Sequence, residues 1–255
     1  MQTKFSELTD SQWEVIEKKL EGHRPRKHDL RVIVNAILWI TRIGAQWRNL
    51  ESKYPPWQSV YYYFWTWSKN GLWDDLLSSL VIAERESVGR EGYPSRVAVD
   101  SQSVKVSSFI SEETVGVDGA KKIKGRKRHI VVDSLGLLIA IYISPANVHD
   151  SQGGIDLLWL VEPHSERLKL IVGDNAYGGE FKDMAKSAYD WNVDTSKKPP
   201  SGQGFVPQKG RWQVERSFGW LNFFRRLAKD YEKTAISSKA FVQLAFITII
   251  LNRLA

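Results

Sequence analysis

Hydrophobic positions in residues 1–90 recur with the spacing of amphipathic helices. Thr9 to Gln12 have the form of a capping box, and apolar residues between Leu30 and Thr41 recur at i, i+3, i+4, i+7 and i+8. The helices predicted from these patterns cover residues 9–20, 30–43, 56–70 and 72–86. Short helices with glycine-containing connections are typical of helix-turn-helix DNA-binding modules. They are equally typical of small helical bundles, so the pattern alone leaves both possibilities open.

After Ser95 the pattern changes to short β-branched runs. The predicted strands are residues 96–100, 129–133, 137–144, 168–173 and 191–195, and the predicted helices are 151–161, 180–188 and a tail over 212–254. The order is three strands, then alternating helices and strands, then helix. This order predicts an α/β fold with a ribonuclease-H-like mixed sheet flanked by helices. A Rossmann chain would alternate from its start and carry a glycine-rich turn after its first strand.

The change of pattern near residues 88–95 predicts two domains. Residues 1–90 would form a small all-α, helix-turn-helix-like domain, for which DNA binding is one of the two possibilities, and residues 96–255 would form the ribonuclease-H-like domain. Tryptophan usage supports this division, because seven of the eleven tryptophans precede residue 74 and none lies between 74 and 158.

Composition narrows the classes of function. The absence of cysteine excludes disulfides, thiolate metal sites and cysteine nucleophiles. Lys and Arg number 36 against 29 Asp and Glu, which gives a net charge of +7 and a pI near 9.4. This balance favours a polyanionic partner, and it favours nucleic acid over a membrane surface.

The sequence also predicts that no membrane segment is present. Residues 1–9 contain no apolar run of the kind found in secretory signals. The most apolar stretch, residues 240–251, is shorter than a bilayer span and is interrupted by Gln243 and Thr248. We therefore expect a buried C-terminal helix in a soluble, cytoplasmic protein.

Three carboxylates are the candidate catalytic residues. Asp100 is the last residue of one predicted strand and Asp174 directly follows another, where an α/β sheet opens into a crevice. Glu215 follows Arg211 by one helical turn, so both side chains share a helix face. Three carboxylates could hold Mg²⁺, which prefers oxygen ligands, and two such ions could act on a phosphodiester. Any single aspartate could instead form a turn or cap a helix, as expected for Asp133.

Motifs along nearly the whole chain resemble those of bacterial insertion-sequence transposases of the DDE type. Segments 8–13, 44–50 and 65–73 resemble the helical region that precedes the catalytic core of that family, and segments 99–105, 124–129, 146–150, 173–177 and 211–221 follow in the family order. The extended family motif has Tyr, Arg, Glu and Lys at fixed spacings. Arg211 and Glu215 match it, whereas Gln208 and Asn222 replace the Tyr and the Lys.

The resemblance implies that Asp100, Asp174 and Glu215 form the metal-binding DDE triad, with two Mg²⁺ ions for which Mn²⁺ can substitute. It also implies a transposase that binds the terminal inverted repeats of an insertion sequence, hydrolyses the phosphodiester at the element ends and joins the free 3′-OH to target DNA. The expected partners are double-stranded DNA and a second copy of the chain on DNA, at the bacterial nucleoid. The alternatives are a domesticated nuclease that cuts without joining and a non-catalytic DNA-binding regulator.

Basic residues are the candidates for contact with DNA phosphates. The candidates are Lys121, Lys122, Lys124, Arg126, Lys127, Arg128, Arg211, Arg225 and Arg226, with Lys105 and Lys209 as weaker ones. Their number predicts a steep dependence of DNA affinity on salt, although a charge run can also be a solvated loop. On the third helix, the residues predicted to read bases are Gln58, Ser59, Tyr62 and Thr66, whereas Trp39, Trp57, Trp65 and Trp67 are predicted to lie in the core. Asp150, next to His149, could support the site or cap a helix.

Overall fold

The structure of the protein, a computed structural model, describes residues 4–20, 27–195 and 211–254. It begins with four helices, α1 (Asp10–Glu17), α2 (Leu30–Ile43), α3 (Trp57–Lys69) and α4 (Leu72–Ser87). The capping box is present, because Thr9 accepts a hydrogen bond from the Gln12 amide and Gln12 accepts one from the Thr9 amide. Helix α2 ends at Gly44, whose φ of 76° lies in the left-handed region that favours glycine. The four predicted helices are therefore confirmed.

A mixed sheet follows the helices. Its strands are β1 (Arg96–Lys105), β2 (Gly116–Asp118), β3 (Ile123–Asp133), β4 (Leu138–Pro145), β5 (Leu170–Gly173) and β6 (Asn192–Thr195). The main order across the sheet is β4-β3-β1-β5-β6, and the short β2 also pairs with β3. Strands β1, β3 and β4 pair antiparallel, whereas β5 and β6 run parallel to β1. This is the ribonuclease-H-like α/β arrangement that the order of elements predicts.

The remaining helices cover the two faces of the sheet. They are α5 (Asp150–Val161), α6 (Glu180–Tyr189), α7 (Trp212–Leu221) and α8 (Ala235–Leu254). Side chains along β1 point alternately to the two faces of the sheet. Val97 and Val99 lie in a core with α5 and α6, and Ala98 lies in a core on the opposite face with α7 and α8. Helices thus cover both faces of the sheet, as is usual for sheets that contain parallel strands.

The core that contains α7 and α8 also contains the N-terminal helices. Ile37 of α2, Phe64 of α3, Leu80 of α4 and Phe246 of α8 are all fully buried in this one cluster. The helical region and one face of the sheet therefore share a continuous core across the boundary predicted at residues 88–95. The division of labour between residues 1–90 and 96–255 stays a prediction.

Helix α8 is the central helix of this core. It is 20 residues long, more than the 12-residue apolar stretch in the sequence, and by length and composition it could cross a membrane. However, 72% of its most apolar window is buried inside the protein, between α4, α2, α3 and β4. The core helix of a soluble protein has this character.

Two strands are longer than the sequence predicts. Strand β1 continues to Lys105, so Asp100 lies within the strand and not at its end. Strand β3 begins at Ile123, so most of the basic run is strand and not loop. Both extensions exist because β1 and β3 pair continuously from Val97–Asp133 to Lys105–Gly125, and this long-range pairing leaves no local signal in a charged segment.

Candidate active site

Neighbouring strands bring Asp100 and Asp174 together. Strand β5 pairs parallel with β1 in a register that matches Ala98 with Val172. Two residues further along each strand are Asp100 and Asp174, which therefore lie side by side on the same face. Asp174 directly follows β5 and accepts a hydrogen bond from the Ala176 amide at 2.9 Å, which fixes its carboxylate at the strand end.

Arg211 links the two aspartates. Its Nη2 atom lies 3.3 Å from Oδ2 of Asp100 and 3.9 Å from Oδ2 of Asp174. Arg211 is the residue just before α7, so the start of this helix is held over the edge of β1 and β5. A positive group thus occupies the position between the two carboxylates.

Burial raises the pKa of Asp100. Loss of solvation is the largest cause and, with the negative charge of Asp174, raises the pKa of Asp100 to about 6, while the Ser101 amide and Arg211 act in the opposite direction. Asp174 is more open, with 37% of its side chain exposed. A buried and an open carboxylate side by side form an electronegative site that suits a cation.

Glu215 lies on the same helix as the bridging arginine but does not complete a metal cage. It is exposed, one turn beyond Arg211, on a helix that packs against β1 and β3. Across residues 4–20, 27–195 and 211–254, no three His, Asp or Glu side chains are grouped so that they could hold a metal ion. The expected three-carboxylate cage is therefore not assembled in this conformation, in which Arg211 lies between the two aspartates.

Contacts with the β3–β4 turn hold α7 in place. Arg216 donates to the Leu135 carbonyl and Ser217 to the Gly136 carbonyl, both at 2.8 Å. The Arg216 guanidinium also lies over the Trp212 ring at 4.4 Å and the Trp220 ring at 4.9 Å. These contacts fix the helix that carries Glu215, and the sequence gives no direct sign of them because the partners lie about 80 residues away.

The opposite face of β1 supports the aspartate pair through Ser101. The Ser101 hydroxyl donates to Asp150 at 2.8 Å, and Asp150 pairs with Lys127 at 2.8 Å. The cap of α5 is His149 and not Asp150, so the capping role considered for Asp150 is wrong. The supporting role of Asp150 stays a prediction.

The basic run divides into exposed and buried residues. Lys121, Lys122 and Lys124 are exposed, as a phosphate-binding surface requires. The prediction of phosphate contact needs correction for the other three residues, because each is buried with an intramolecular partner. Arg126 pairs with Asp230 at 3.2 Å, Lys127 pairs with Asp150, and Arg128 donates to the Leu227 carbonyl at 3.0 Å.

A similar correction applies to Arg226 and Arg211. Arg226 is buried against Glu232 at 2.7 Å, whereas the adjacent Arg225 is exposed. Arg211 is also buried and faces the aspartates, so in this conformation its guanidinium serves the carboxylates and not a phosphate. Asn222, in the family position of Lys, is exposed just after α7. Gln208 and Lys209 lie outside the described residues.

The predicted base-reading residues lie on the outer side of α3. Gln58 is exposed and Tyr62 is 64% exposed, while Ser59 and Thr66 are half-buried. The tryptophans expected in the core are less uniform. The buried ones are Trp39 and Trp67, and the half-buried ones are Trp57 and Trp65.

Comparison with protein families gives two consecutive matches. The model described as "Putative transposase of IS4/5 family" matches residues 8–77, and the model described as "Transposase DDE domain" matches residues 92–252. The second match alone covers more than half of the chain.

Two curated relatives also match this chain, and one of them is described as a transposase. The chain is 30% identical over 140 residues to a "Putative transposase for insertion sequence element IS402" of Burkholderia cepacia, an alignment that spans 51% of this chain and 64% of the relative. It is 26% identical over 122 residues to the uncharacterized protein y4sN of Sinorhizobium fredii (strain NBRC 101917 / NGR234), covering 46% of this chain and 86% of the relative. The chain thus spans slightly less than two thirds of the length of the Burkholderia relative. With its ribonuclease-H-like sheet and these matches, the chain belongs to the insertion-sequence transposases with a DDE domain.

Proposed function

We propose that this chain binds the terminal inverted repeats of its insertion sequence, hydrolyses the phosphodiester at each element end and joins the resulting 3′-OH to target DNA. The observation that carries this proposal is the aspartate pair, in which Asp100 and Asp174 lie in register on adjacent strands with a cationic group between them. Hydrolysis and joining are both phosphoryl transfers, so one site can carry out both steps.

The donor atoms of this site suit divalent cations. The guanidinium of Arg211 lies between the two aspartates, where positive charge is stabilised, and carboxylate oxygens are the ligands that Mg²⁺ prefers. We propose that Asp100, Asp174 and Glu215 hold two Mg²⁺ ions, for which Mn²⁺ can substitute. When bound, such ions neutralise charge on the phosphodiester and favour ionisation of the attacking hydroxyl.

The residues of the chain have separate tasks in this proposal. Asp100 provides a buried carboxylate on a rigid strand, and Asp174 provides an open one that substrate can approach. Arg211 holds the two carboxylates in place until cations bind. Helix α7 carries Glu215 on its exposed side, where DNA can approach it.

Exposed cations supply the proposed DNA surface. Lys121, Lys122 and Lys124 at the start of β3, together with Arg225, are available for phosphates, and the outer side of α3 is available for base edges. Because both element ends must be brought together, we propose that two copies of the chain act as a homodimer on DNA.

Conservative substitutions test the catalytic assignment. The substrate is a plasmid in which the DNA flanking the gene brackets a marker, and the measured products are nicked element ends and joined strands in Mg²⁺. Asp100→Asn, Asp174→Asn and Glu215→Gln are each expected to abolish both products and to retain binding of element-end DNA. The control is Glu180→Gln, which changes an exposed carboxylate on α6 and should keep full activity.

The outcomes separate the proposal from its alternatives. Strand joining by any of the three variants would remove that residue from the triad. Cutting without joining by the unmodified protein would favour a nuclease, and binding of element ends without divalent-dependent cutting would favour a regulator.

A further inference from the structure

A wide groove lies beside the N-terminal helices, apart from the aspartate pair. We call it the aromatic groove. Its lining comes from the turn after α2, from α3, from the segment after β1 and from the segment before α8, and its volume is about 1100 Å³. Pockets that bury a drug-sized ligand hold about 300–1,000 Å³, so this groove is large enough for an extended ligand.

Aromatic side chains make up five of the twelve lining residues described. Trp57 and Tyr61 lie one turn apart on α3 and are both half-buried. Phe109 and Tyr231 come from two other segments and are 61% and 36% exposed. Exposed aromatic rings in one groove are costly to hydrate, and they offer flat surfaces on which planar groups can stack.

The accessible charge in the groove is positive. Arg48 is exposed, with its guanidinium 5.8 Å from the centre of the Trp57 ring, and Lys233 is also exposed. Glu232 is the one acidic residue among the lining residues described, and it is buried in an ion pair with Arg226 at 2.7 Å. A ligand in the groove therefore meets cations and aromatic rings.

A lysine-lined cleft continues from the groove. This cleft has a volume of about 390 Å³. Its charged lining residues are Lys105, Lys124, Lys229 and Glu112, and Glu112 pairs with Lys124 at 2.7 Å, which leaves an excess of positive charge. Ser107 lines both the cleft and the aromatic groove, so the two form one surface. Lys105 lies five residues along β1 from Asp100, about 17 Å at the usual rise per residue of a strand. The surface is therefore distinct from the aspartate pair.

We propose that this surface binds an unpaired strand of DNA, whose bases stack in the aromatic groove while its phosphates contact the lysines. This proposal rests on the proposed function, because it takes DNA as the partner. A single strand fits better than a duplex, because only unpaired bases can present their faces to aromatic side chains. A duplex would expose base edges and phosphates, for which the rings offer nothing.

Comparison of three DNA ligands tests the proposal. Fluorescence anisotropy would measure binding of a labelled dT20 strand, of a 20-residue strand of abasic tetrahydrofuran spacers with the same charge, and of a 20-base-pair duplex. Stacking contributes roughly 1–3 kcal/mol per base, which corresponds to about 5-fold or more in affinity. The unmodified protein is therefore expected to bind dT20 at least about 5-fold more tightly than the abasic strand.

Removal of an exposed ring identifies the site. Phe109→Ala is expected to weaken dT20 binding by about 5-fold or more and to leave binding of the abasic strand and of the duplex unchanged. The matched control is Trp159→Ala, which removes a ring that is 66% exposed on α5. Because Phe109 is mostly exposed, its removal should leave the fold intact, and this is checked by the unfolding temperature.

Several results would overturn the proposal. The unmodified protein could bind dT20 and the abasic strand equally well. The Phe109→Ala variant could bind dT20 as tightly as the unmodified protein, or it could change its oligomeric state while its dT20 binding stays the same. The last result would make the groove a protein interface. The plasmid assay judges the proposed function separately: base-dependent binding by a protein that never cuts would refute catalysis and leave the groove assignment intact.

Discussion

Replacing Arg126 by methionine should cost stability and not DNA affinity. Arg126 is 1% exposed within β3, and its guanidinium pairs with Asp230 at 3.2 Å. It also donates to the Glu232 carbonyl and the Thr114 hydroxyl, both at 2.7 Å. Methionine fills a similar volume but leaves the carboxylate of Asp230 buried without its cation.

The size of the effect follows from this burial. Breaking a buried ion pair by removing one partner costs about 3–5 kcal/mol. Asp230 keeps hydrogen bonds from Ser238 at 2.8 Å and from the Glu232 amide at 2.9 Å, which favours the lower half of that range. Since domains have free energies of unfolding of about 5–15 kcal/mol, Arg126→Met should remove a large share of the stability.

The matched perturbation is a triple substitution of the accessible lysines, Lys121→Gln, Lys122→Gln and Lys124→Gln. Lys124 pairs with Glu112 at 2.7 Å, but both side chains are exposed, and such pairs contribute only about 0–1 kcal/mol. The triple variant should unfold at nearly the same urea concentration as the unmodified protein. Its DNA affinity should depend less on salt. The slope of the logarithm of the binding constant against the logarithm of salt concentration should become shallower by about 0.9 for each phosphate that the lysines no longer neutralise.

Two measurements check this contrast. Urea unfolding followed by circular dichroism gives the free energy of unfolding, and anisotropy of a labelled duplex at several salt concentrations gives the slope. The reasoning fails if Arg126→Met unfolds like the unmodified protein while its salt slope decreases. That result would place Arg126 on the DNA surface, in agreement with the prediction from the basic run.

Four further substitutions test the packing. Arg85→Met should lower the free energy of unfolding by about 3–5 kcal/mol in urea titrations, because it leaves Asp133 buried beside α4 without its cation; a loss under about 1 kcal/mol would contradict this. Burial lowers the pKa of His129 to about 4 from its usual 6.5, so the protonated form is disfavoured in the folded state and stability should fall by about 3 kcal/mol as pH decreases from 6.5 to 4. His129→Gln should flatten that part of the stability profile, and an unchanged slope would show that other groups cause it. Gly153→Ala would place a Cβ 2.3 Å from the His129 ring, so thermal unfolding should show a loss of about 1–3 kcal/mol in the free energy of unfolding. Gly219→Ala on α7 has open space around the new Cβ, and it should be neutral or stabilising by up to about 1 kcal/mol.

Local patterns were sufficient for the helices and most strands, but not for β2 or for the full lengths of β1 and β3. The capping box at Thr9, the apolar spacing of α2 and the left-handed Gly44 are short-range features, so the sequence displays them directly. The same is true of the turn at Asp133, whose carboxylate accepts hydrogen bonds from the amides of Leu135 and Leu137, as expected for a turn.

The charged segment of β3 was less predictable. A run of lysine and arginine usually forms a solvated surface, and nothing local distinguishes Lys124 from Arg126. Lys124 is exposed and Arg126 is buried because the sheet covers β3 beyond its first residues. The acidic partner of Arg126, Asp230, lies more than 100 residues away in the sequence.

Residue types and short spacings were enough to identify the family motifs, the order of helices and strands, and the candidate carboxylates. The folded chain was needed to show that Arg211 lies between Asp100 and Asp174 and that Glu215 forms no metal-binding group with them in the described residues. It was also needed to show that the N-terminal helices share a core with α8. Each of these depends on the register of β1 with β5 or on the packing of distant helices. Such contacts are set by the burial of apolar surface over the whole chain, which no local pattern specifies.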